Sequence, residues 1–409
     1  MANATKWLFW LLGIVVVVEG FDTNVANVVL PYVGDTFTAG ASELRNAQAL
    51  IALGAVAAYF TIQSADRWGR RPVLLAAVVA FSGLSLATAL AQDLRQFVIL
   101  QFLARIALVT QLTIAYVLLS ESMPATRRGR VNGMLAAFAS IGAALPALLL
   151  APLVSAGHDW RGLFVLGGLP LLVLPLLWRW VGESPAFLLG RQQGRVSQSL
   201  ARQLGRLLAP DLRRRFLSVS ALWFVINFWV GATMFLFSFY AVRERGWTAD
   251  DLQRVAPFGL VCAFVGYVAA GRLMDAIGRR PAAAVLLILG GIATLVTFKA
   301  ESFVVVAAGW VCLQALQGIW PVAYTLTTEL FPTEVRASAN GLAHNLLGRW
   351  GQVAGPFAVN LVALELGTTG RAVAALACVN MLALPLLRWG LPETRQTELS
   401  EREARTVST

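Results

Sequence analysis

The stretch Asp66-Arg67-Trp68-Gly69-Arg70-Arg71-Pro72 returns as Asp275-Ala276-Ile277-Gly278-Arg279-Arg280-Pro281, 209 residues later. Long apolar segments flank both copies. A charged, glycine-containing loop repeated once per half implies a duplicated chain with the same tight turn in each half. A second repeat agrees. Glu121-Ser122-Met123-Pro124, with Arg128, Asn132 and Gly133, matches Glu329-Leu330-Phe331-Pro332, with Arg336, Asn340 and Gly341, at a constant offset of 208.

Composition places these loops between membrane spans. Hydrophobic residues make up 57% of the chain and charged residues 13%, far from the usual soluble balance. Twelve apolar segments are long enough to span, at about 7–31, 45–64, 73–91, 97–120, 133–154, 162–181, 217–241, 255–274, 282–299, 303–328, 341–364 and 371–390. Lipid does not tolerate irregular backbone, so each is expected to be a helix. The expected fold is an all-α membrane protein of twelve transmembrane helices in two parallel six-helix repeats. Its divisions are a bundle over 1–181, a linker over 182–216, a bundle over 217–392 and a tail over 393–409. With the N-terminus inside, inner loops and tails hold 23 of the 33 Lys and Arg, and outer loops hold 8. Both termini are therefore expected to be cytoplasmic, in a protein of the bacterial inner membrane.

Several classes of function are disfavoured. The formal charge of +11 sits in short loops between spans, which points to membrane topology and not to nucleic acid. Neither Lys6 nor Lys299 ends a phosphate-binding GxxxxGK[ST] loop. Cys262, Cys312 and Cys378 show no CxxC spacing, and His158 and His344 cannot make a histidine-rich metal site. No nucleophile–base pair is evident. The expectation is a monomeric transporter, not an enzyme, with no metal and no cofactor other than a coupling proton. Its partners are the bilayer and a small-molecule substrate.

Charges inside the spans carry the chemistry. Glu19 and Asp22 lie in the first segment at i,i+3, on one helix face. Arg105 lies in the fourth at comparable depth. Isolated charges there cost about 2.5–3.5 kcal/mol each, so lipid-facing placement is disfavoured and pairing is expected. Two acids and one arginine leave a negative charge over, which makes Asp22 the first candidate proton carrier and Glu19 the second. Arg349, in the eleventh segment, has no acid at similar depth in its half, which suggests a cavity that receives an anion. Arg105, with Arg349, is expected to attract the substrate carboxylate, and Gln101, Asn227, Gln314, Gln317, Trp320 and Tyr324 are further candidate substrate contacts, because aromatic faces with a few polar groups suit a small amphipathic ligand.

The loops resemble those of the major facilitator superfamily over nearly the whole chain. Both copies are similar to its GxLxDRxGRR signature, although Ile62 replaces the leading glycine of the first. Glu329 to Arg336, with Glu183-Ser184-Pro185, resembles the branch of sugar porters, aromatic-acid and metabolite proton symporters, and organic-ion transporters. The resemblance implies gating of alternating access by Asp66, Arg67, Gly69, Arg70, Glu121 and Arg128, and by Asp275, Gly278, Arg279, Glu329 and Arg336. Glu19-Gly20-Phe21-Asp22 is similar to the DGxD element of aromatic-acid proton symporters, and Arg105 matches their fourth-helix arginine. Gln111 stands where such relatives often carry an acid, which leaves coupling to the first-helix pair. Organic-anion transporters likewise carry an eleventh-helix arginine. The expected function is proton-coupled uptake of a small organic anion, an aromatic or other carboxylate. A sugar or polyol porter and an exporter of drugs or organic cations are the alternatives.

Overall fold

The computed structural model describes residues 3–122, 125–184, 187–189 and 200–394, without the side chains of 3–6, 120, 125–134, 136, 137, 200, 333, 334 and 337. No strand occurs among the described residues. The helices, numbered along the chain, are α1 (Asn3–Thr36), α2 (Ala41–Trp68), α3 (Arg70–Ala89), α4 (Leu94–Glu121) and α5 (Ala125–Ser155). They continue as α6 (Arg161–Trp180), α7 (Arg213–Arg245), α8 (Ala249–Ile277), α9 (Arg279–Lys299) and α10 (Phe303–Leu330). A short helix, Leu200–Leu207, precedes α7.

Eleven described helices are long and apolar enough to cross a membrane. The expected segment 341–364 is helical but divided, and so falls outside that number. We label as α11 the succession of Thr333–Asn340, a π-helical stretch Gly341–Gly348 and the α-helix Trp350–Leu366. Its last piece has 17 residues. The twelfth, α12 (Thr369–Gly390), contains 3₁₀ and π turns.

Several boundaries differ from the sequence reading. The first helix does not stop at Pro31 but continues to Thr36. Proline breaks only one internal hydrogen bond, and Arg243 Nη2 donates to the Pro31 carbonyl at 2.8 Å, which supports the end of the helix. α6 is interrupted between Leu166 and Pro170, and α7 between Thr233 and Phe237.

The chain forms two compact units. One comprises Met1–Ser197 with Phe235–Leu260, the other Gln198–Met234 with Val261–Thr409. In the first unit, α1 crosses α5 with backbones almost touching. A Cβ on Gly20 would lie 2.0 Å from the Ala139 carbonyl oxygen, and one on Gly142 1.9 Å from that of Val17. The second unit repeats the device between α7 and α11, where a Cβ on Gly351 would meet the Phe224 oxygen at 2.2 Å. The fourth helix is set the same way: Gly54 approaches the Phe102 oxygen as Gly266 approaches that of Ala315. Apolar side chains fill the rest of the first unit, with Leu12, Val16, Leu74, Leu118 and Leu135 in one core and Val25, Val29, Phe97, Trp160 and Phe164 in another.

Candidate functional site

The repeated loops build the same network twice. In the first unit Gly69 has φ 103°, a region only glycine adopts readily. The turn aims the first backbone N–H groups of α3 at Glu183, which accepts from Arg70 N at 2.9 Å and Arg71 N at 3.3 Å. Arg70 pairs with Asp66 at 3.0 Å and Glu121 at 3.3 Å, and Ser184 donates to Glu121. In the second unit Gly278 has φ 101°, and Glu393 accepts from Arg279 N at 2.9 Å and Arg280 N at 3.0 Å. Arg279 pairs with Asp275 at 3.2 Å and Glu329 at 3.1 Å, and Thr394 donates to Glu329.

Both arginines that follow these turns seal helix ends. Arg71 donates to the Trp178 carbonyl at 2.6 Å and Arg280 to that of Arg388 at 2.8 Å. Arg336 donates to the Phe331 carbonyl at 3.2 Å, and Arg67 is exposed. The Arg128 side chain, and Met123, Pro124 and Pro185, lie outside the described residues. Sequence reasoning noted Glu183 but not its role as the cap of α3, and it missed Glu393-Thr394 as the copy of Glu183-Ser184. A search at an offset of 210 finds it.

Deep in the first unit, Glu19, Asp22 and Arg105 are all buried, as are Asn27 and Gln48. The expected ion pair takes another form. Among the ion pairs of the described residues, none joins Asp22 to Arg105. Arg105 Nη2 donates to the Thr23 main-chain oxygen at 3.3 Å, and its guanidinium lies 6.0 Å from the centre of the Phe235 ring. A Cβ on Gly54 would come within 2.9 Å of Arg105 Cβ, so glycine there admits the arginine stem against α2. Thr23 Oγ1 donates to Glu19 at 2.9 Å, and Asp22 Oδ1 has no partner among the described residues. Gln101 donates to Thr88 on α3 at 3.0 Å, and Gln111 is buried.

The second unit holds a cluster of rings where α7, α10 and α11 meet. Trp223 packs 4.2 Å from the His344 ring and 4.7 Å from Tyr324, between centroids. The Tyr324 hydroxyl and His344 Nδ1 are 2.8 Å apart, and Trp223 Nε1 donates to Thr327 at 3.0 Å. Trp320 Nε1 donates to Gln317 at 2.8 Å. Arg349 Nε donates to Asn345 at 3.2 Å, and its backbone N–H reaches back five residues to the His344 oxygen at 3.0 Å. This π turn rotates Arg349 toward the face that carries His344; such wide turns recur at functional sites. Asn227 is fully buried beside Gly351 and donates to the Trp223 carbonyl, while Gln314 is half-buried. Trp223 and His344 were not among the expected contacts, because a lone Trp or His in an apolar run carries no periodic signal.

This repeated architecture defines a membrane transporter of the duplicated, many-helix kind. The profile of the Major Facilitator Superfamily matches residues 12–356 and 243–408, and the chain belongs to that family. It is 25% identical over 379 residues to the niacin transporter of Acinetobacter baylyi, covering 86% of each chain. It is 31% identical over 313 residues to the 3-(3-hydroxy-phenyl)propionate transporter of Escherichia coli, covering 75% of this chain and 74% of that one. The fold matches the inward-open xylose transporter of E. coli with a TM-score of 0.76 at 19% identity, over 98% of this chain and 99% of that one.

Proposed function

We propose that this protein takes up a small aromatic carboxylate together with a proton, by alternating access, from an inner-membrane position with both termini cytoplasmic. The observation that carries the reading is the buried set Glu19, Asp22 and Arg105, in which Asp22 keeps one oxygen without a partner. A carboxylate that is buried but not locked in an ion pair can exchange a proton without dismantling the helix contacts. Arg349 lies near enough to Tyr324 and His344 to act on both electrostatically, and with the Trp320 ring this part of the second unit supplies what an aromatic anion needs: a cation and aromatic faces. Arg105 is held by the α1 main chain, and Arg349, held by Asn345 on its own helix, is the candidate partner for the substrate carboxylate. The duplicated loop networks serve as the gates, and the 182–216 linker joins two domains of six helices.

Two relatives named above transport niacin and a hydroxyphenylpropionate, both aromatic acids, which supports the anion reading over the sugar-porter alternative. The test is uptake into proteoliposomes of labelled niacin, 3-(3-hydroxyphenyl)propionate and xylose. The first two should accumulate and xylose should not. Accumulation of xylose alone would overturn the substrate class.

A further inference from the structure

A directed chain of hydrogen bonds runs from α2 into α1 and ends on Glu19. Gln48 Nε2 donates to Asn27 Oδ1. Asn27 Nδ2 donates to the Thr23 main-chain oxygen at 3.2 Å. The Thr23 hydroxyl donates to Glu19 Oε1 at 2.9 Å. Chemistry fixes the direction. A main-chain carbonyl only accepts, so the Asn27 amide must present its NH₂ to Thr23 and its oxygen to Gln48. Gln48 must then present its own NH₂. Each link therefore points its positive end toward Glu19, and bonds aligned this way polarise one another.

The chain cannot conduct a proton, because the Thr23 carbonyl interrupts it. Its function is to position charge. Thr23 gathers three groups: its hydroxyl binds Glu19, and its carbonyl accepts from both Asn27 and Arg105. The charged side chains that act on Asp22 are Arg105 on α4 and Glu19 on its own helix. α5 presents the Ala139 backbone at Gly20, α2 presents the neutral Gln48, and the break within α7 presents the Phe235 ring to Arg105. Asp22 is 3% exposed, and its Oδ1 is the carboxylate oxygen left open at this crossing.

We propose that Gln48, Asn27 and Thr23 are positioning residues that commit Glu19 as a fixed anion and leave Asp22 as the single proton-exchanging carboxylate of this unit. The inference rests on the proton-coupled reading and divides labour within it. Proton exchange then converts the Asp22 carboxylate to the acid by forming one O–H bond, with no break in the Glu19–Thr23 or Thr23–Arg105 contacts.

Infrared pH titration of the purified protein reads buried protonated carboxyls directly and needs no substrate. One titrating buried-carboxyl band is expected, lost in Asp22→Asn and kept in Glu19→Gln. Thr23→Val, which removes the hydroxyl and keeps the carbonyl, should add a second titrating band, and Thr23→Ser should restore the single one. Loss of the band in Glu19→Gln, an unchanged single band in Thr23→Val, or no titrating band in the parent protein would overturn the proposal. If Thr23→Val fails to fold, the Asp22→Asn and Glu19→Gln pair still decides. The coupling reading fails separately, if uptake ignores a proton gradient while the bands behave as expected.

Discussion

Arg105 on α4 binds the main chain of α1 at Thr23, at 3.3 Å, and not the carboxylate of Asp22 one residue earlier. The guanidinium ties two helices together whatever the protonation state of Asp22. Lysine offers a point charge on a flexible stem without the planar fork, so Arg105→Lys is not conservative here. A hydrogen bond from a charged donor contributes about 1.5–3 kcal/mol, so uptake by Arg105→Lys should fall about tenfold or more. Parental rates in the lysine variant would show that charge alone suffices.

The glycine crossings make a prediction about stability. Gly20 lies between Glu19 and Asp22, and an added Cβ would fall 2.0 Å from a backbone oxygen that cannot rotate aside. Overpacking of this kind costs about 1–3 kcal/mol, so Gly20→Ala and Gly142→Ala should lower the thermal unfolding temperature in detergent and weaken uptake. Gly83, with nothing within 4 Å of its added Cβ, is the control and should be neutral or slightly stabilised as alanine.

The helix caps test the loop networks. Glu183→Ala leaves the Arg70 and Arg71 amides without their carboxylate, and Glu393→Ala does the same for Arg279 and Arg280. Each should cost about 1 kcal/mol of stability, the usual value of a lost cap. If the networks gate transport, each variant should also change the uptake rate more than the substrate affinity, as measured by initial rates against concentration. Unchanged kinetics in both would reduce the networks to structural fastenings.

The proposed function gives Arg349 the substrate carboxylate. If Arg349 binds the substrate carboxylate, Arg349→Gln should raise KM for niacin about tenfold or more, while the amount of folded protein, read by size-exclusion chromatography, stays near parental. Equal KM values would return Arg349 to a structural role.

Much of this was legible in the sequence. Apolar length and repeated loops predicted the helices and their duplication, because lipid leaves backbone no other solution. The buried charges stood out for the same reason: Glu19, Asp22, Arg105 and Arg349 are costly wherever they lack partners. The partners themselves were not legible. The choice of Thr23 over Asp22 by Arg105 depends on helix rotation set by Gly20 and Gly54, and no spacing rule encodes that. The π turn between His344 and Arg349 leaves no composition signal, and the side chain that bonds the Pro31 carbonyl within α1 is Arg243, which is far away in sequence.

The central claim is that Asp22 couples a proton to carboxylate uptake. The most direct measurement is initial uptake of labelled niacin and 3-(3-hydroxyphenyl)propionate into proteoliposomes, with and without an inward proton gradient, for the parent protein and Asp22→Asn. The account predicts gradient-stimulated uptake in the parent and none of that stimulation in Asp22→Asn. Uptake that ignores the gradient in the parent, or a gradient response that survives in Asp22→Asn, would contradict it.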